Sequence, residues 1–284
     1  MAKPSVSSVS IKKFSNDQWG ITDDLLAVEE PMEIRLGFGP LDLRDELKVS
    51  VTMRTPGNDF DLAVGFLFTE GIIASANDIL SVKYCTDGNR IENLENIVRV
   101  ELHPNVEVDT EILQRNFYTT SGCGICGKAS IDAIHTVCRV ETDLTDWKVN
   151  KDVILRLSDT LRNKQQVFEF TGGIHAAALF DVFGNLIAVR EDVGRHNAMD
   201  KLIGHFVMTN NTTIIPSHTV LLLSGRASFE LLQKAAMAGI RVVCAVGAPS
   251  GLAVETANDF GITLVGFLRE NRFNIYSNPT RISE

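Results

Sequence analysis

The chain has 284 residues, of which 44% are hydrophobic and 22% charged, a composition typical of a soluble globular protein with room for one large domain or two smaller ones. Its net charge of −9 argues against a nonspecific nucleic-acid binder. The first residues lack the apolar core of a signal peptide and no apolar run is long enough to span a bilayer, so we expect a cytoplasmic protein that does not bind membranes. Five cysteines, an odd number in a chain of this length, argue against a disulfide framework.

Strands dominate the first 116 residues. Alternating apolar residues predict strands at 5–14, 32–36, 47–54, 81–85 and 97–102. Turn residues at 55–59 precede one predicted helix, 60–70, and Gly71 is suited to end it. Because the strands outnumber the helix and arrive in pairs, residues 1–116 are predicted to form a small α+β domain.

Two cysteines in CxxC spacing follow this domain. Residues 119–128 read Thr-Thr-Ser-Gly-Cys-Gly-Ile-Cys-Gly-Lys, which places the pair at Cys123 and Cys126. Apolar residues at helical spacing come after Lys128, so the pair is predicted at or just before a helix N-terminus, where the helix dipole and Lys128 both favour thiolate over thiol. The flanking glycines predict a mobile loop, and therefore a reactive thiolate that can move.

The CxxC spacing alone is compatible with four interpretations. A thioredoxin-like redox pair normally follows the first strand of a βαβ unit, whereas this pair follows a finished domain. A structural zinc site needs two further ligands, yet no second CxxC or HxxxH exists, and His175 and His196 lie far away in sequence. The third interpretation is a loop whose cysteines have no chemical role. The fourth is a thiolate that accepts sulfur as a persulfide and passes it on.

The other three cysteines lie within apolar patterns. They are Cys85, Cys138 and Cys244. A thiol in such a setting behaves as a small apolar side chain, so we expect all three to be chemically inert core residues.

Helices and strands alternate in the remainder of the chain. Helices are predicted at 152–163, 195–208, 228–238 and 251–259. Strands are predicted at 167–171, 186–190, 219–223, 241–246, 262–267 and 273–276, and the apolar segment 174–180 follows the first of them after two glycines. This alternation predicts a mostly parallel sheet covered on both faces, in an α/β domain that spans residues 117–284.

A polar cluster at 190–201 falls where a predicted strand ends and a helix begins, the place where open α/β sheets bind ligands. Arg195 and His196 are predicted to point toward such a crevice. The alternative is a solvated helix start that Asp192 or Asn197 caps in the ordinary way. His175 follows two glycines and either lines the same crevice or is a satisfied core histidine.

Three further segments suit a phosphorylated ligand. Residues 224–228 and 247–251 each end a strand and open a helix, and the N–H groups at a helix start favour phosphate. Arg269 and Arg272 lie in the final predicted hairpin and could hold a pyrophosphate in bidentate fashion. The alternative for these two arginines is a charged hairpin tip without a ligand.

Several longer motifs, taken in order, carry a resemblance that covers nearly the whole chain from about Glu29 onward. They are Met53-Arg-Thr-Pro-Gly-Asn-Asp, Glu70-Gly-Ile-Ile, Ser121-Gly-Cys-Gly-Ile-Cys-Gly-Lys-Ala-Ser, Gly172-Gly-Ile-His-Ala-Ala-Ala-Leu, Arg190-Glu-Asp-Val-Gly-Arg-His-Asn-Ala, Leu223-Ser-Gly-Arg-Ala-Ser-Phe-Glu, Val246-Gly-Ala-Pro-Ser and Gly266-Phe-Leu-Arg. Together they resemble the formate dehydrogenase accessory sulfurtransferase family.

The resemblance implies a cytoplasmic sulfur carrier, a sulfurtransferase with a cysteine persulfide intermediate. Such a protein takes sulfur from a cysteine desulfurase and delivers it to the bis-molybdopterin guanine dinucleotide molybdenum cofactor, before that cofactor enters formate dehydrogenase. The family's persulfide cysteine falls on Cys123, and Cys126 matches the second cysteine of the pair. The family's cofactor-binding segment falls on Phe267, Leu268, Arg269, Glu270, Asn271 and Arg272. No permanently bound cofactor is expected.

The resemblance also implies a homodimer and a larger domain with a cytidine-deaminase-like, three-layer α/β fold. The zinc motif of the deaminases is not reproduced, because His175-Ala-Ala lacks their glutamate and the CxxC precedes it. Deaminase chemistry and a metal site are therefore not expected. The alternatives to a sulfur carrier are a CxxC dithiol oxidoreductase and a zinc-stabilised chaperone of a molybdoenzyme.

Overall fold

The computed structural model describes residues 3–85, 95–108, 147–209, 215–216 and 218–284. The chain begins with a hairpin of two ten-residue strands, β1 (Val6–Ser15) and β2 (Gln18–Ala27). Asn16 and Asp17 join the strands with φ of 50° and 57°, the two positive values that a type I′ turn requires. Only β1 was predicted, because the paired aspartates of β2 interrupt its apolar alternation.

The rest of the N-terminal region forms a four-stranded sheet with one helix. Its elements are β3 (Glu30–Phe38), β4 (Asp45–Arg54), helix α1 (Asp59–Thr69), β5 (Ile79–Tyr84) and β6 (Ile97–Leu102). The strand order is β4-β3-β6-β5, with β3 and β6 parallel and the other pairs antiparallel. The α+β character predicted for this region is confirmed. The predicted domain boundary after residue 116 lies outside the described residues.

A six-stranded sheet organises residues 147–284. The elements, in chain order, are β7 (Val149–Asn150), α2 (Lys151–Arg162), α3 (Gln166–Thr171), β8 (His175–Asp181), β9 (Leu186–Asp192), α4 (Arg195–Thr209), β10 (Thr219–Leu223), α5 (Phe229–Met237), β11 (Val242–Ala245), α6 (Gly251–Asp259), β12 (Thr263–Arg269), β13 (Arg272–Ser277) and β14 (Ile282–Ser283). The sheet order is β13-β12-β11-β10-β8-β9.

The prediction of a mostly parallel sheet is wrong. Strands β10, β11 and β12 run parallel to one another, whereas β8–β9 and β12–β13 are antiparallel hairpins and β8 runs antiparallel to β10. The error has a physical reason. Strands buried on both faces have continuous apolar sequences, and such sequences do not indicate the direction of a strand.

The sheet is nevertheless covered on both faces, as predicted. Ala177 and Leu179 of β8 belong to one buried cluster, which includes residues of α4, α5 and α6. Ala178 and Phe180 point the other way and belong to a second cluster with residues of α2. Helix, sheet and helix therefore form three layers, which confirms the mixed α/β fold. Among the described residues, no helix is both long and apolar enough to cross a membrane.

The predicted strand at 167–171 is helix α3 instead. Its alternating phenylalanines are typical of a strand, but Glu191 of β9 accepts hydrogen bonds from the backbone N–H groups of Val167 and Phe168, at 3.0 Å each. The first N–H groups of a helix have no hydrogen-bond partner within the helix, so the Glu191 carboxylate supplies the acceptors that these two groups need. Gly172, with φ of 63°, ends the helix.

The N-terminal sheet joins the larger sheet where α1 crosses α4. A Cβ placed on Gly65 would lie 1.8 Å from the carbonyl oxygen of Asp200, and one on Gly204 would lie 1.9 Å from that of Asp61. Only glycine permits so close an approach of two helix backbones. Buried residues of α1 and of the four-stranded sheet consequently belong to the same cluster as those of α4 and α5.

Candidate functional site

One edge of the six-stranded sheet borders a crevice. Strands β10, β11 and β12 all end at this edge, and β8 begins there because it runs antiparallel to β10. His175, Ser224, Val246 and Arg269 line the crevice from the sheet, and α2 and α3 form the opposite wall. The cavity has a volume of about 600 Å³. The structure thus brings together residues that the sequence predicts to surround a ligand.

The loops at this edge are fixed by hydrogen bonds to one another. The N–H of Ser224 donates to the carbonyl of Ala176 at 3.0 Å, and the N–H of Ala176 donates back to Ser224 Oγ at 2.8 Å. The N–H of Gly247 donates to the carbonyl of Gly225 at 2.9 Å, and that of Ser250 to Ala227 at 3.0 Å. Several N–H groups that suit phosphate therefore already have partners, and the edge of the crevice is rigid.

His175 is a neutral histidine in the wall of the crevice. It is half-buried, and burial lowers its pKa below the ordinary value, as do the positive charges of Arg195 and His196. Arg195 and His196, which were predicted to point toward the crevice, are not among the residues that line it, although both are close enough for their charges to act on His175. His196 itself contacts Glu230 Oε2 at 2.8 Å and Ser228 Oγ at 3.3 Å.

Several polar side chains of the cluster at 190–201 form buried or partly buried contacts with other parts of the protein. Arg190 donates to Asp61 of α1 at 2.9 and 3.0 Å. Asp192 is fully buried, contacts Lys201 Nζ at 2.7 Å and accepts a hydrogen bond from the N–H of Thr55. The solvated helix start considered for this segment is therefore wrong, since the buried Asp192 of the six-stranded sheet binds Thr55, which directly follows β4 of the four-stranded sheet.

A second buried pair, Asp200 with Lys234, lies next to this cluster and was not predicted. Lys234 Nζ lies 2.8 and 2.9 Å from the carboxylate oxygens of Asp200 and 2.8 Å from Thr69 Oγ1. Burial disfavours the charged lysine, but the negative charges of Asp200 and Glu70 raise the pKa of Lys234 overall. The lysine of α5 is separated from its partners by 34 and 165 residues, a distance at which no sequence motif operates.

The final hairpin reaches the crevice with one of its two arginines. Arg269 lines the cavity, and its Nη1 donates to the carbonyl of Val246 at 2.7 Å. Glu270 also lines it, whereas Arg272, opposite Arg269 in the register, does not. Leu268 is buried, and Phe267 is 40% exposed with φ of 53° where the pairing of β12 and β13 is irregular. Asn271 is exposed in the turn.

Gln165 is a crevice residue that sequence reasoning missed. It joins α2 to α3, is only 6% exposed, and its Nε2 has no hydrogen-bond partner among the described residues. The residue is one of those that line the cavity. A glutamine in a polar connection between helices carries no periodic signal, so nothing in the sequence could have identified it.

The predicted persulfide cysteines, Cys123 and Cys126, lie outside the described residues, as does Cys138. Cys244 is buried in β11, and burial raises the pKa of its thiol to about 12, which confirms the prediction of an inert core residue. Cys85 is half-buried. Among the residues that the structure describes, no group of three or more histidine, cysteine, aspartate or glutamate side chains is placed to hold a metal ion.

Comparisons with known proteins place the chain in a family. The sequence pattern of the FdhD/NarQ family matches residues 28–283. The sulfur carrier protein FdhD of Streptomyces coelicolor is 49% identical over 92% of this chain and 89% of its own length. The protein of the same name from Mycobacterium tuberculosis is 48% identical over 96% of this chain and 97% of its own, and that from Sulfurisphaera tokodaii is 39% identical over 98% and 99%.

One solved structure has the same fold. It belongs to a candidate formate dehydrogenase accessory protein from Desulfotalea psychrophila, with a TM-score of 0.72 and 22% identity over 99% of this chain and 100% of its own. At that identity the likeness concerns the fold alone. The family pattern and the sequence relatives cover nearly the entire length. The chain therefore belongs to the FdhD/NarQ family.

Proposed function

We propose that this protein is a sulfur carrier that holds sulfur as a persulfide on Cys123. It takes this sulfur from a cysteine desulfurase and delivers it to the bis-molybdopterin guanine dinucleotide cofactor of formate dehydrogenase. The name of its relatives, sulfur carrier protein FdhD, supports the carrier role. The structural observation that supports binding of the sulfur acceptor is the crevice at the sheet edge. Its volume of about 600 Å³ is typical of small-molecule sites.

Loading of Cys123 is a thiol exchange that needs no outside oxidant. The Cys123 thiolate attacks the outer sulfur of the desulfurase persulfide, the donor's S–S bond breaks, and the donor cysteine leaves as a thiolate. A new S–S bond now holds the sulfur on Cys123. Lys128 and a helix dipole, both predicted beside the pair, favour the attacking thiolate.

Release of the sulfur as sulfide needs two electrons, and the second cysteine can supply them. Attack of the Cys126 thiolate on Cys123 Sγ forms a disulfide between the two cysteines and expels the outer sulfur as hydrosulfide. Two equivalents of an external thiol, or one dithiol, then reduce this disulfide and leave as a disulfide themselves. Cys126 thus has a defined part in delivery, whereas loading requires Cys123 alone.

The crevice has the groups that a nucleotide-bearing acceptor requires. Arg269 provides guanidinium donors beside the backbone of Val246, and the Ser224 loop lies against His175. The neutral imidazole of His175 can donate a hydrogen bond without adding charge. Gly172 and Gly173 line the same cavity and let a ligand approach the backbone closely. The segment 267–272 is accordingly proposed to bind the cofactor through Arg269.

Mass spectrometry of the loaded protein tests the carrier role. After incubation with cysteine and a cysteine desulfurase, we expect a gain of about 32 Da on the peptide that contains Cys123, the mass of one sulfur in a persulfide. Cys123→Ser should lose this gain, and Cys126→Ser should keep it. Cys244→Ser is the matched control, because that thiol is buried and should never load. Full loading of Cys123→Ser would overturn the proposal, as would stoichiometric zinc on the pair.

A further inference from the structure

The N-terminal hairpin exposes apolar side chains on one of its faces. Residues directly opposite each other in an antiparallel pair lie on the same side of the ribbon, so these alternate pairs share one face: Ser8 with Leu25, Ser10 with Asp23, Lys12 with Ile21 and Phe14 with Trp19. We call these residues the hairpin face. Ile21 is 83% exposed, Trp19 64% and Phe14 54%. Large apolar side chains exposed side by side are typical of an interaction surface, whereas single ones need no explanation.

The rest of the protomer gives the hairpin little support. Strands β1 and β2 form a sheet of their own, and among the described strands they pair only with each other. Both strands are exposed along most of their length, although β2 runs beside α3. A two-stranded hairpin alone is at best marginally stable in water. A lasting apolar surface on such an element favours a lasting partner, and a second copy of the chain is the partner that is always present.

The turn end of the hairpin face is already ordered in the single chain. The centres of the Phe14 and Trp19 rings lie 5.0 Å apart, and Lys12 Nζ lies 4.9 Å from the centre of the Trp19 ring. These contacts and the type I′ turn fix the aromatic pair before anything binds to it. Little conformational entropy is therefore lost when the surface is covered.

The hairpin face is complementary to itself when two copies stack face to face in opposite directions. Phe14 and Trp19 lie at the turn end, Leu25 lies toward the other end, and Lys12 and Asp23 lie between them. A two-fold axis across the middle of the face therefore places the aromatic pair of each copy against Leu25 of the other, and brings Lys12 of each close to Asp23 of the other. Stacking in the same direction would instead place Lys12 against the apolar Ile21. A symmetric dimer requires a patch that is complementary to itself in this way.

We propose that two copies of this chain form a dimer through the hairpin face, with the two hairpins stacked antiparallel about a two-fold axis. Each Lys12 then pairs with Asp23 of the other protomer, and the exposed apolar side chains of both hairpins are buried between them. This inference concerns the assembly of the protein and does not depend on the proposed sulfur chemistry.

Sedimentation velocity of the full chain measures this assembly, and we expect the parent chain to be a dimer at micromolar concentration. Lys12→Glu and Asp23→Lys each bring like charges together across the contact, so each variant alone should dissociate about ten-fold more readily. An equimolar mixture of the two variants should dimerise like the parent chain, because each substituted position then faces the opposite charge on the other protomer. Changes within one protomer cannot produce such a rescue.

Two further variants control for the position of the contact. Ile21→Lys should also weaken the dimer, because it places a charge in the middle of the covered face. Phe183→Lys is the matched control, because Phe183 is 76% exposed in the turn between β8 and β9, outside the hairpin face, and its variant should dimerise normally. All of the substituted positions are exposed in the single chain, so a loss of the dimer is not a loss of the fold. A monomeric parent chain, a dimer that no hairpin variant weakens, or a mixture that stays monomeric would each overturn the proposal.

Discussion

In two regions around the six-stranded sheet, buried polar groups differ in whether the protein supplies their hydrogen-bond partners. Where α1 meets α4, Asp200 lies within hydrogen-bond distance of both Lys234 and Thr69. By contrast, Nε2 of Gln165, a residue that lines the crevice, and Nε of Arg195 are buried and have no hydrogen-bond partner among the described residues. The Asp200 carboxylate is thus satisfied within the chain, whereas these two donors are not.

Several properties could be used to distinguish polar residues that stabilise the fold from polar residues that bind a ligand. Burial does not separate them, since Lys234 and Gln165 are 6% exposed each. Nor does charge, because the ion pairs Arg190–Asp61, Asp192–Lys201 and Asp200–Lys234 all lie within the protein and connect neighbouring elements. What differs is the number of hydrogen bonds: Lys234 Nζ donates three, whereas Nε2 of Gln165 has no partner among the described residues.

The largest expected effect comes from breaking the Asp200–Lys234 pair. Lys234→Met leaves the Asp200 carboxylate buried with only the hydroxyl of Thr69, and should lower the free energy of unfolding by about 4 kcal/mol. Urea denaturation measures this loss. The same change to methionine at Gln165 should cost little or nothing, so the two variants test the comparison directly.

A double variant provides the control for this pair. In Asp200→Asn with Lys234→Met, no unpaired charge remains, so the loss should be smaller than the sum of the two single losses. If Lys234→Met costs less than about 1 kcal/mol, the pair is no more important than an exposed salt bridge, and the contrast with the crevice disappears.

The next effect concerns the close approach of α1 and α4. Gly204→Ala places a methyl group where the carbonyl oxygen of Asp61 lies 1.9 Å away, so the helices must separate. The expected loss in the free energy of unfolding is about 3 kcal/mol, at the upper end for overpacking. Gly251→Ala in α6 is the matched control, because nothing lies within 4 Å of the added methyl group and alanine favours a helix. Equal urea midpoints for the two variants would contradict the packing shown here.

Local patterns predicted most of the elements but not the pairing of strands. The predicted strand 219–223 coincides with β10, and the predicted helix 251–259 coincides with α6. Both are short segments with clear periodicity and turn residues at each end. The direction of β8 relative to β10, and the helical state of 166–171, depend instead on contacts with distant residues such as Glu191.

The candidate site was predictable in its position but not in its detail. The rule that α/β sheets bind ligands at the carboxyl ends of their strands predicted a crevice lined by Arg195 and His196, and neither lines it, whereas His175 and Arg269 do. Asp192, considered only as a helix cap, is paired with Lys201 inside the protein. Gln165 was missed because its importance depends on the absence of a partner in three dimensions.

The smallest expected effect concerns His175, which links the crevice to stability at low pH. Its pKa in the folded protein is below the ordinary value of 6.5, so below pH 6.5 the unfolded chain binds more protons than the folded one. The free energy of unfolding should therefore fall as the pH drops through 6.5 toward the lower folded value. His175→Gln should reduce that fall without abolishing it, because burial and Arg190 lower the pKa of His205 as well. Urea denaturation above and below pH 6.5 measures the difference, with His205→Gln as the comparison. An unchanged pH dependence in His175→Gln would mean that the imidazole is solvated like an exposed histidine, and that the crevice wall does not hold it in a neutral, ligand-ready state.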